Sequence, residues 1–273
     1  MFYSEIEENL TARRLVLSLL NVSGKAQETI AHLVAAGQLF GIEDSSIRMA
    51  VGRLMKEGLL VSVRRGRYEI GGRGTAMREE LRGWQNALDR TKPWDGTWLA
   101  VMTSHLGRTN RKSLRNRERA LKLSGLVEVV AGIWIRPANL MDSISDLRTR
   151  LVMLGLDENA VIGHVSAFES DTKFDPKQLW AADDYVTRYK EAINAMSDST
   201  ANIPNMTPAQ SARETLLVGQ TVLHIINLDP LLPNEIIDQS LLEQMINDMR
   251  AYNQLGLECW QKFYAQVDMS QPA

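Results

Sequence analysis

The sequence predicts an α+β protein built from several domains, and three observations support this prediction. Near the amino end, a helical pattern is followed directly by a short two-stranded ribbon. In the middle of the chain, β-prone and helical segments alternate, and after residue 171 the apolar pattern is helical. The chain has 273 residues, of which 44% are hydrophobic and 23% charged, so it is long enough for two or three domains with cores of their own.

The helix and the ribbon lie in the segment from Asp44 to Ile70. Asp44 or Ser45 can cap the helix, and Gly58 is expected to end it. Apolar residues at helical spacing form one predicted buried stripe, namely Ile47, Ala50, Val51, Leu54 and Met55. Residues 60–64 and 67–70 are β-prone runs on either side of Arg65 and Gly66, which predicts a hairpin with a cationic tip.

The opposite face of this helix carries small and cationic side chains, as expected for a helix in a major groove of DNA. Two further helical patterns, at 12–20 and 27–39, precede it. This order predicts a winged helix-turn-helix over residues 1–74. The predicted DNA-contacting residues are Ser45, Ser46, Arg48, Met49, Arg53, Lys56, Arg64, Arg65 and Arg67. The alternative interpretation is a solvated helix face in an ordinary α+β domain.

The remaining segments predict three further parts of the chain. Residues 75–93 resemble a connecting helix closed by Pro93, and residues 171–273 predict a helical carboxy-terminal domain. Between them, residues 94–170 show the order βαββαβ, which is typical of a ferredoxin-like sandwich. Its predicted elements are strand 97–103, helix 110–123, two strands within 127–136, helix 140–154 and strand 161–168. The predicted carboxy-terminal helices are 179–196, 208–227, 234–255 and 257–267.

A run of cations in the central domain lies along one predicted helix face. It consists of Arg108, Lys112, Arg115, Arg119 and Lys122, with Glu118 as its only nearby acid. Three anionic partners are open: the DNA backbone, the acidic carboxy-terminal domain, and the phosphates of a ligand such as a coenzyme A ester. A solvated face without any partner is the fourth interpretation.

Charge is distributed unevenly along the chain. Residues 1–75 hold 10 basic and 8 acidic side chains, residues 76–170 hold 14 and 11, and residues 171–273 hold 7 and 14. A basic amino-terminal two thirds fits a nucleic-acid partner.

The sequence also predicts several absences. It has neither a run long enough to span a membrane nor a secretion signal, so we expect a cytoplasmic protein. Cys259 is alone, and the four histidines show no metal-ligand spacing, so neither a metal nor another cofactor is expected. Ser104, His105, His164 and His224 stand in no catalytic motif, and we predict no enzyme.

Four separated segments resemble the PaaX family of bacterial repressors, named for control of phenylacetate degradation. They are SSIRMAVGRLMKEGLL with its RRGRYEI wing, WDGTWLAVM, LRNRERALKLSGLVEVVAGIWIRPANL and INLDPLLPNEII. The resemblance implies a winged helix, a ferredoxin-like domain similar to small CRISPR-associated nucleases, and a helical domain. It also implies a dimeric repressor of a catabolic gene cluster that a small-molecule effector releases.

The chain departs from this pattern at two places. The ferredoxin-like nucleases carry an aspartate at the end of the first strand, whereas here Met102 is followed by Thr103, Ser104 and His105, so we interpret the central domain as a scaffold. The wing is also shorter than is usual for the family.

The function predicted from these features is binding of a double-stranded DNA operator by a homodimer under the control of an aryl- or acyl-coenzyme A thioester or an aromatic acid. The effector is expected between the central and carboxy-terminal domains. Its predicted contacts are Arg108, Lys112, Arg115, Arg119, Trp180 and His224. The alternatives are a nucleic-acid-binding protein without effector control and a nuclease or hydrolase that uses the central domain.

Overall fold

The computed structural model describes residues 2–22, 27–72, 83–168 and 175–270, which form a mixed α and β protein. The chain divides into two compact units. The first consists of Met1–Gln85, Glu191–His224 and Met245–Ala273, and the second of Asn86–Lys190 and Ile225–Gln244. Each unit therefore combines segments that are distant in the sequence. None of the described helices has the length and apolar character needed to cross a membrane. The division into domains at residues 74, 93 and 170 stays a prediction.

The amino-terminal part of the first unit alternates helices with short strands. Its described elements are α1 (Ser4–Glu8), α2 (Ala12–Val22), β1 (Gln27–Thr29), α3 (Ile30–Leu39), α4 (Asp44–Lys56), β2 (Leu60–Arg64) and β3 (Arg67–Ile70). The bounds of β2 and β3 are the predicted ones. The helix predicted to begin at Gln27 begins instead at Ile30, because Gln27–Thr29 pairs antiparallel with β3 in a sheet of order β1-β3-β2. Thr29 then caps α3, its Oγ1 accepting from the backbone N–H of His32 at 3.1 Å.

Helix α4 has the predicted buried stripe with one exception, and its start differs from the prediction. Ile47, Ala50, Val51 and Leu54 are buried, whereas Met55 is 39% exposed. The N-cap residue is Glu43, without a capping side chain, so the expected capping by Asp44 or Ser45 is wrong. The Asp44 carboxylate instead accepts a hydrogen bond from Gln38 Nε2 at 3.2 Å. The helix ends as expected, with Gly58 at a φ of 71° that favours glycine.

The second unit contains one antiparallel four-stranded sheet and two longer helices, which follow one another in the predicted order. Its elements are β4 (Trp98–Met102), α5 (Arg111–Leu123), β5 (Val127–Val130), β6 (Ile133–Pro137), α6 (Ile144–Leu154), β7 (Val161–Val165) and α7 (Pro176–Leu179). The strand order is β5-β6-β4-β7, so the first strand in sequence lies between the third and the fourth. Both helices pack on one face of this sheet through a core that includes Leu99, Val101, Leu121, Trp134, Leu147 and Leu151.

The predicted connecting helix over 75–93 falls partly on residues 73–82, which lie outside the described residues. From Gly83 onward the chain forms two 3-10 turns, Gly83–Asn86 and Leu88–Arg90, in place of the expected α-helix.

Three long helices occupy the carboxy-terminal part: α8 (Ala182–Asn202), α9 (Pro208–Asn227) and α10 (Gln239–Met269), with a 3-10 turn at Ile203–Asn205. The two helices predicted at 234–255 and 257–267 are one continuous helix. Gly256 does not interrupt it, and a Cβ at this position would meet Thr215 at 3.5 Å, which shows that α10 packs closely against α9 here.

The segment after α9 is fixed in the second unit by buried polar groups. Arg136 donates to the carbonyl oxygens of Ser124 at 2.7 Å and Pro230 at 2.9 Å. Asp229 accepts a hydrogen bond from the Tyr189 hydroxyl at 2.5 Å. Burial raises the pKa of Asp229 to about 6, against the lowering effect of the Tyr189 hydroxyl, and burial lowers the pKa of Arg136 to about 9. These contacts explain the aspartate of the LDPLLP turn and hold the backbone of the turn in place.

The core of the first unit joins the two ends of the chain. Its buried residues come from α2, α3, α4, β2, α9 and α10, and they include Leu15, Leu33, Ile47, Leu54, Leu216, Trp260 and Phe263. The helix with the predicted DNA-contacting residues therefore rests on the carboxy-terminal helices as well as on its neighbours in sequence.

Candidate nucleic-acid interface

Helix α4 turns one face to solvent, and this face carries the predicted DNA-contacting residues of the helix. Ser45, Arg48, Met49, Arg53 and Lys56 are exposed, and Ser46 is half-buried at the edge. Gly52 lies in the middle, where a Cβ would meet nothing within 4 Å. Met49 is 55% exposed, and such an apolar side chain suits a thymine methyl group. The face thus has arginines at its borders, and at Gly52 between them no side chain projects from the helix.

Arg48 and Arg53 lie on opposite borders of this face, because five residues of an α-helix correspond to a rotation of about 140°. Arg48 lines a groove of about 500 Å³ together with residues of α3 and the end of α10. Arg53 lines a cavity of about 350 Å³ on the other side, together with the start of α2. The two arginines therefore reach different parts of a ligand that covers α4.

The β2–β3 hairpin next to α4 has a cationic tip. Arg64 and Arg65 are exposed and Arg67 is half-buried. Gly66 has a φ of 73°, which makes the tight turn possible, and Arg64 pairs with Arg67 across the strands. Two like charges opposite each other are destabilising unless an anion compensates them.

The cations of helix and hairpin have no acidic partner within the described part of the chain. No ion pair there involves Arg48, Arg53, Lys56, Arg64, Arg65 or Arg67. Arg13 of α2, which borders the same surface, does pair with Glu57 at 2.7 Å. Among the residues that the structure describes, the predicted contact residues thus form a surface of uncompensated positive charge, which suits phosphate groups.

Behind this surface, His32 of α3 ties the amino-terminal helices to the end of α10. Its Nδ1 lies 3.0 Å from Glu28 Oε2, its Nε2 lies 2.9 Å from Asp268 Oδ1, and its ring stacks on Tyr264 at 4.2 Å. Burial disfavours the charged ring, but the hydrogen bonds to Glu28 and Asp268 outweigh burial and raise the pKa of His32. An imidazolium between two carboxylates is the charge state that this arrangement favours.

The residues predicted to bind an effector differ in exposure. Arg108, Lys112, Arg115 and Arg119 are exposed, and so is His224 in the last turn of α9. Arg108 precedes α5, whose first turn is capped by Asn110. Trp180, in contrast, is only 4% exposed; its Nε1–H donates to the Gly125 carbonyl at 3.0 Å and its ring stacks on Trp98. Trp180 is a packing residue in this structure, and the effector site stays a prediction.

Several residues at the surface around α4 were not predicted. Val61 and Val63 of β2 are both more than 40% exposed. No local pattern indicated their exposure, because apolar residues that alternate with polar ones in a strand usually form its buried side. Arg13 was also missed, because its position beside α4 depends on how α2 packs and has no local pattern.

The acidic, histidine and cysteine side chains of residues 2–22, 27–72, 83–168 and 175–270 are dispersed. No group of three or more His, Cys, Asp or Glu there could hold a metal ion. The His105 ring nitrogen Nε2 lies 2.9 Å from the Asn159 carbonyl oxygen, which is a structural contact.

Known proteins resemble this chain in fold and in parts of its sequence. None of the curated proteins is significantly similar to the chain in sequence. A solved structure, the uncharacterized protein Rv0674 from Mycobacterium tuberculosis, is similar in fold with a TM-score of 0.62 at 21% identity, over 92% of this chain and 99% of that one.

Two family descriptions match the sequence itself. Residues 11–74 match the PaaX-like protein family, and residues 91–174 match the PaaX protein central Cas2-like domain. The first match contains α4 and the hairpin, and the second contains the four-stranded sheet. Together they cover more than half of the 273 residues, and the chain therefore belongs to the PaaX family.

Proposed function

We propose that this chain is a sequence-specific, DNA-binding transcriptional regulator in which residues 11–74 act as a winged helix-turn-helix. Family membership points to transcriptional regulation. One observation carries the proposal: α4 has a buried face in the core of the first unit and an exposed face whose cations have no described acidic partner. A helix held in this way can enter a major groove without losing its packing.

The residue roles follow from position on α4. Arg48 is the candidate for paired hydrogen bonds to guanine, and Met49 for contact with thymine. Arg53 and Lys56 are placed to hold phosphates, and Gly52 allows the sugar-phosphate backbone to approach closely. The arginines of the hairpin hold the backbone or an adjacent minor groove.

The second unit is proposed to be a ferredoxin-like scaffold without nuclease activity. Its strand order and its two helices on one sheet face support the first part of this proposal. The second part is supported by Thr103, which follows β4 where the related nucleases carry an aspartate. Thr103 is buried, and its N–H donates to the Gly132 carbonyl at 2.7 Å. A buried threonine hydroxyl that donates to the Gly132 carbonyl at 3.3 Å is a weaker ligand for a hard metal ion than the carboxylate of an aspartate, and this supports a scaffold role.

The regulator is further proposed to act as a cytoplasmic homodimer that releases its operator when an effector binds. A single recognition helix covers few base pairs, and twofold symmetry doubles the contacts. The effector class, an aryl- or acyl-coenzyme A thioester or an aromatic acid, follows from the family resemblance. A thermal shift and operator release with such a compound would separate this proposal from a DNA-binding protein without effector control.

Footprinting of the DNA upstream of the protein's own gene tests the central proposal. The full chain is expected to protect a defined site, and the double variant Arg48→Glu/Arg53→Glu is expected to lose this protection. Lys177→Glu/Lys190→Glu carries the same change of net charge at exposed residues of α7 and α8 and should retain it. Absence of any protected site, or equal protection by both variants, would exclude α4 as the reading element.

A further inference from the structure

Helix α5 carries a second surface of positive charge that the proposed function does not use. Five exposed cations fall within an arc of about 100° around the helix axis, which we call the α5 basic face. They are Arg111, Lys112, Arg115, Arg119 and Lys122. Glu118 is the only acid on this 13-residue helix, and it lies at the edge of the arc.

These cations are unpaired, whereas the buried cation of the same helix is not. Within the described residues, none of the five forms an ion pair with a carboxylate. Arg117 points into the protein, is 4% exposed, and donates to Asp157 at 2.8 Å and to the Gly107 carbonyl at 3.2 Å. Arg111, Arg115 and Arg119 follow one another at spacings of four, where like charges repel. An external anion would therefore stabilise the α5 basic face.

The shape of the face indicates which kind of anion fits. From Arg111 to Lys122 the helix rises by about 16 Å. One strand of B-DNA rises by about 3.4 Å per phosphate while it also turns around the axis, so a straight row of this length faces only a few successive phosphates. The face is also open. The described cavities beside α4, and the cavity between α9 and α10, are lined by residues of other elements, so no described pocket on α5 would hold the nucleoside or acyl part of a coenzyme A ester.

We propose that the α5 basic face binds the phosphate backbone of double-stranded DNA, as a contact surface separate from α4 and the hairpin. The proposal rests on the proposed function, because it assumes that the chain binds DNA. Its side chains are almost uniformly cationic, without the mixture of small and apolar groups found on α4. It therefore adds affinity that does not depend on base sequence.

The test compares the full chain with the variant Arg115→Glu/Arg119→Glu on a random-sequence DNA duplex over a range of salt concentrations. Each lost phosphate contact reduces the slope of log K against log salt by about 0.9, so the variant should show a slope shallower by about 2 and an affinity lower by on the order of tenfold at low salt. Lys177→Glu/Lys190→Glu serves as the matched control and should behave like the unchanged chain. Because no described ion pair is removed, the melting temperature of the α5 variant should not fall.

The possible outcomes distinguish this inference from the proposed function. An unchanged salt slope in Arg115→Glu/Arg119→Glu, together with loss of binding in Arg48→Glu/Arg53→Glu, would overturn the α5 proposal and leave the proposed function intact. If the α5 variant binds DNA normally but no longer binds coenzyme A added alone, the face holds ligand phosphates and the proposal is wrong. If the unchanged chain binds neither random DNA nor its upstream region, the proposed function itself fails.

Discussion

Helices α4 and α5 are both 13 residues long, both bury one apolar face, and both expose cations, yet they differ in composition and support. The exposed face of α4 mixes arginine and lysine with serine, glycine and methionine, and a cationic hairpin follows it. The exposed face of α5 is almost purely cationic, and the opposite side of the helix packs on the four-stranded sheet. A helix face with mixed side chains can distinguish base edges, whereas a uniformly cationic face contacts phosphates irrespective of the base sequence. Positive charge on a helix is therefore insufficient evidence of sequence recognition.

The largest expected effect concerns the support beneath each helix. Trp260→Ala removes a buried aromatic ring from the core that α4 shares with α9 and α10, and should lower the free energy of unfolding of the first unit by about 3 to 5 kcal/mol. Leu121→Ala removes a buried side chain beneath α5 and serves as the comparison. Urea unfolding measures the loss of stability in each variant. An operator titration under conditions where both variants stay folded should then show that Trp260→Ala impairs operator recognition far more than Leu121→Ala. Equal impairment by both would mean that the core beneath α4 has no special role in recognition.

The second effect separates base reading from charge. Arg48→Ala should weaken operator binding by about 1 to 3 kcal/mol and relax sequence preference, because a lost guanine contact affects only the correct site. Arg65→Ala in the hairpin should weaken binding to operator and random DNA alike. Titration of both variants against both DNAs measures the difference. Equal losses for the two variants on the two DNAs would contradict this division of roles.

A third variant separates stability from binding at the centre of α4. Gly52→Leu should stabilise the helix by about 0.8 kcal/mol, since leucine is a better helix former and the site has no close neighbours. The same side chain should obstruct the approach of DNA and weaken operator binding. A higher melting temperature with unchanged DNA affinity would show that the centre of α4 does not contact DNA.

The smallest effect concerns the pH-sensitive contacts of His32 with Glu28 and Asp268 behind α4. Helix α5 has no counterpart of these contacts among the described residues. The pKa of His32 is raised above its usual value of 6.5, so the charged ring stabilises the fold below that pH, and this contribution is lost as pH rises through the folded-state pKa. Asp268→Asn removes one carboxylate and should lower the pKa of His32, although Asp268 is 65% exposed and solvent screens its charge. An NMR titration of the His32 ring measures this change. Glu258→Gln, an exposed charge removed elsewhere on α10, should leave that pKa unchanged.

Local patterns predicted the elements that depend on nearby residues. The bounds of β2, β3 and α9 agree with the sequence-based expectation, because alternation, a glycine turn and flanking prolines are all visible in short windows. Strand β1 was missed because its three residues become a strand only by pairing with β3, about forty residues away. The break expected near Gly256 is absent because packing against Thr215 supports a continuous helix.

The arrangement around the interface was predictable only in part. The exposed residues of α4 and of the hairpin follow from the helical repeat and from the turn. The helical repeat also separates Arg48 from Arg53, but the groove and the cavity that they line depend on how α2, α3 and α10 pack beside α4. The burial of Trp180 depends on contacts with Gly125 and Trp98, which no pattern around residue 180 indicates.

The core shared by both ends of the chain limits how this protein can be divided. A fragment ending near residue 74 would lack Leu216, Trp260 and Phe263, which cover Leu33 and Leu54 in the core. It would therefore expose an apolar surface that favours aggregation. Chimaeras that exchange DNA specificity between relatives should therefore transfer the amino-terminal segment together with the matching parts of α9 and α10. A nonsense mutation near the 3′ end of the gene would for the same reason damage the part of the protein encoded at its 5′ end.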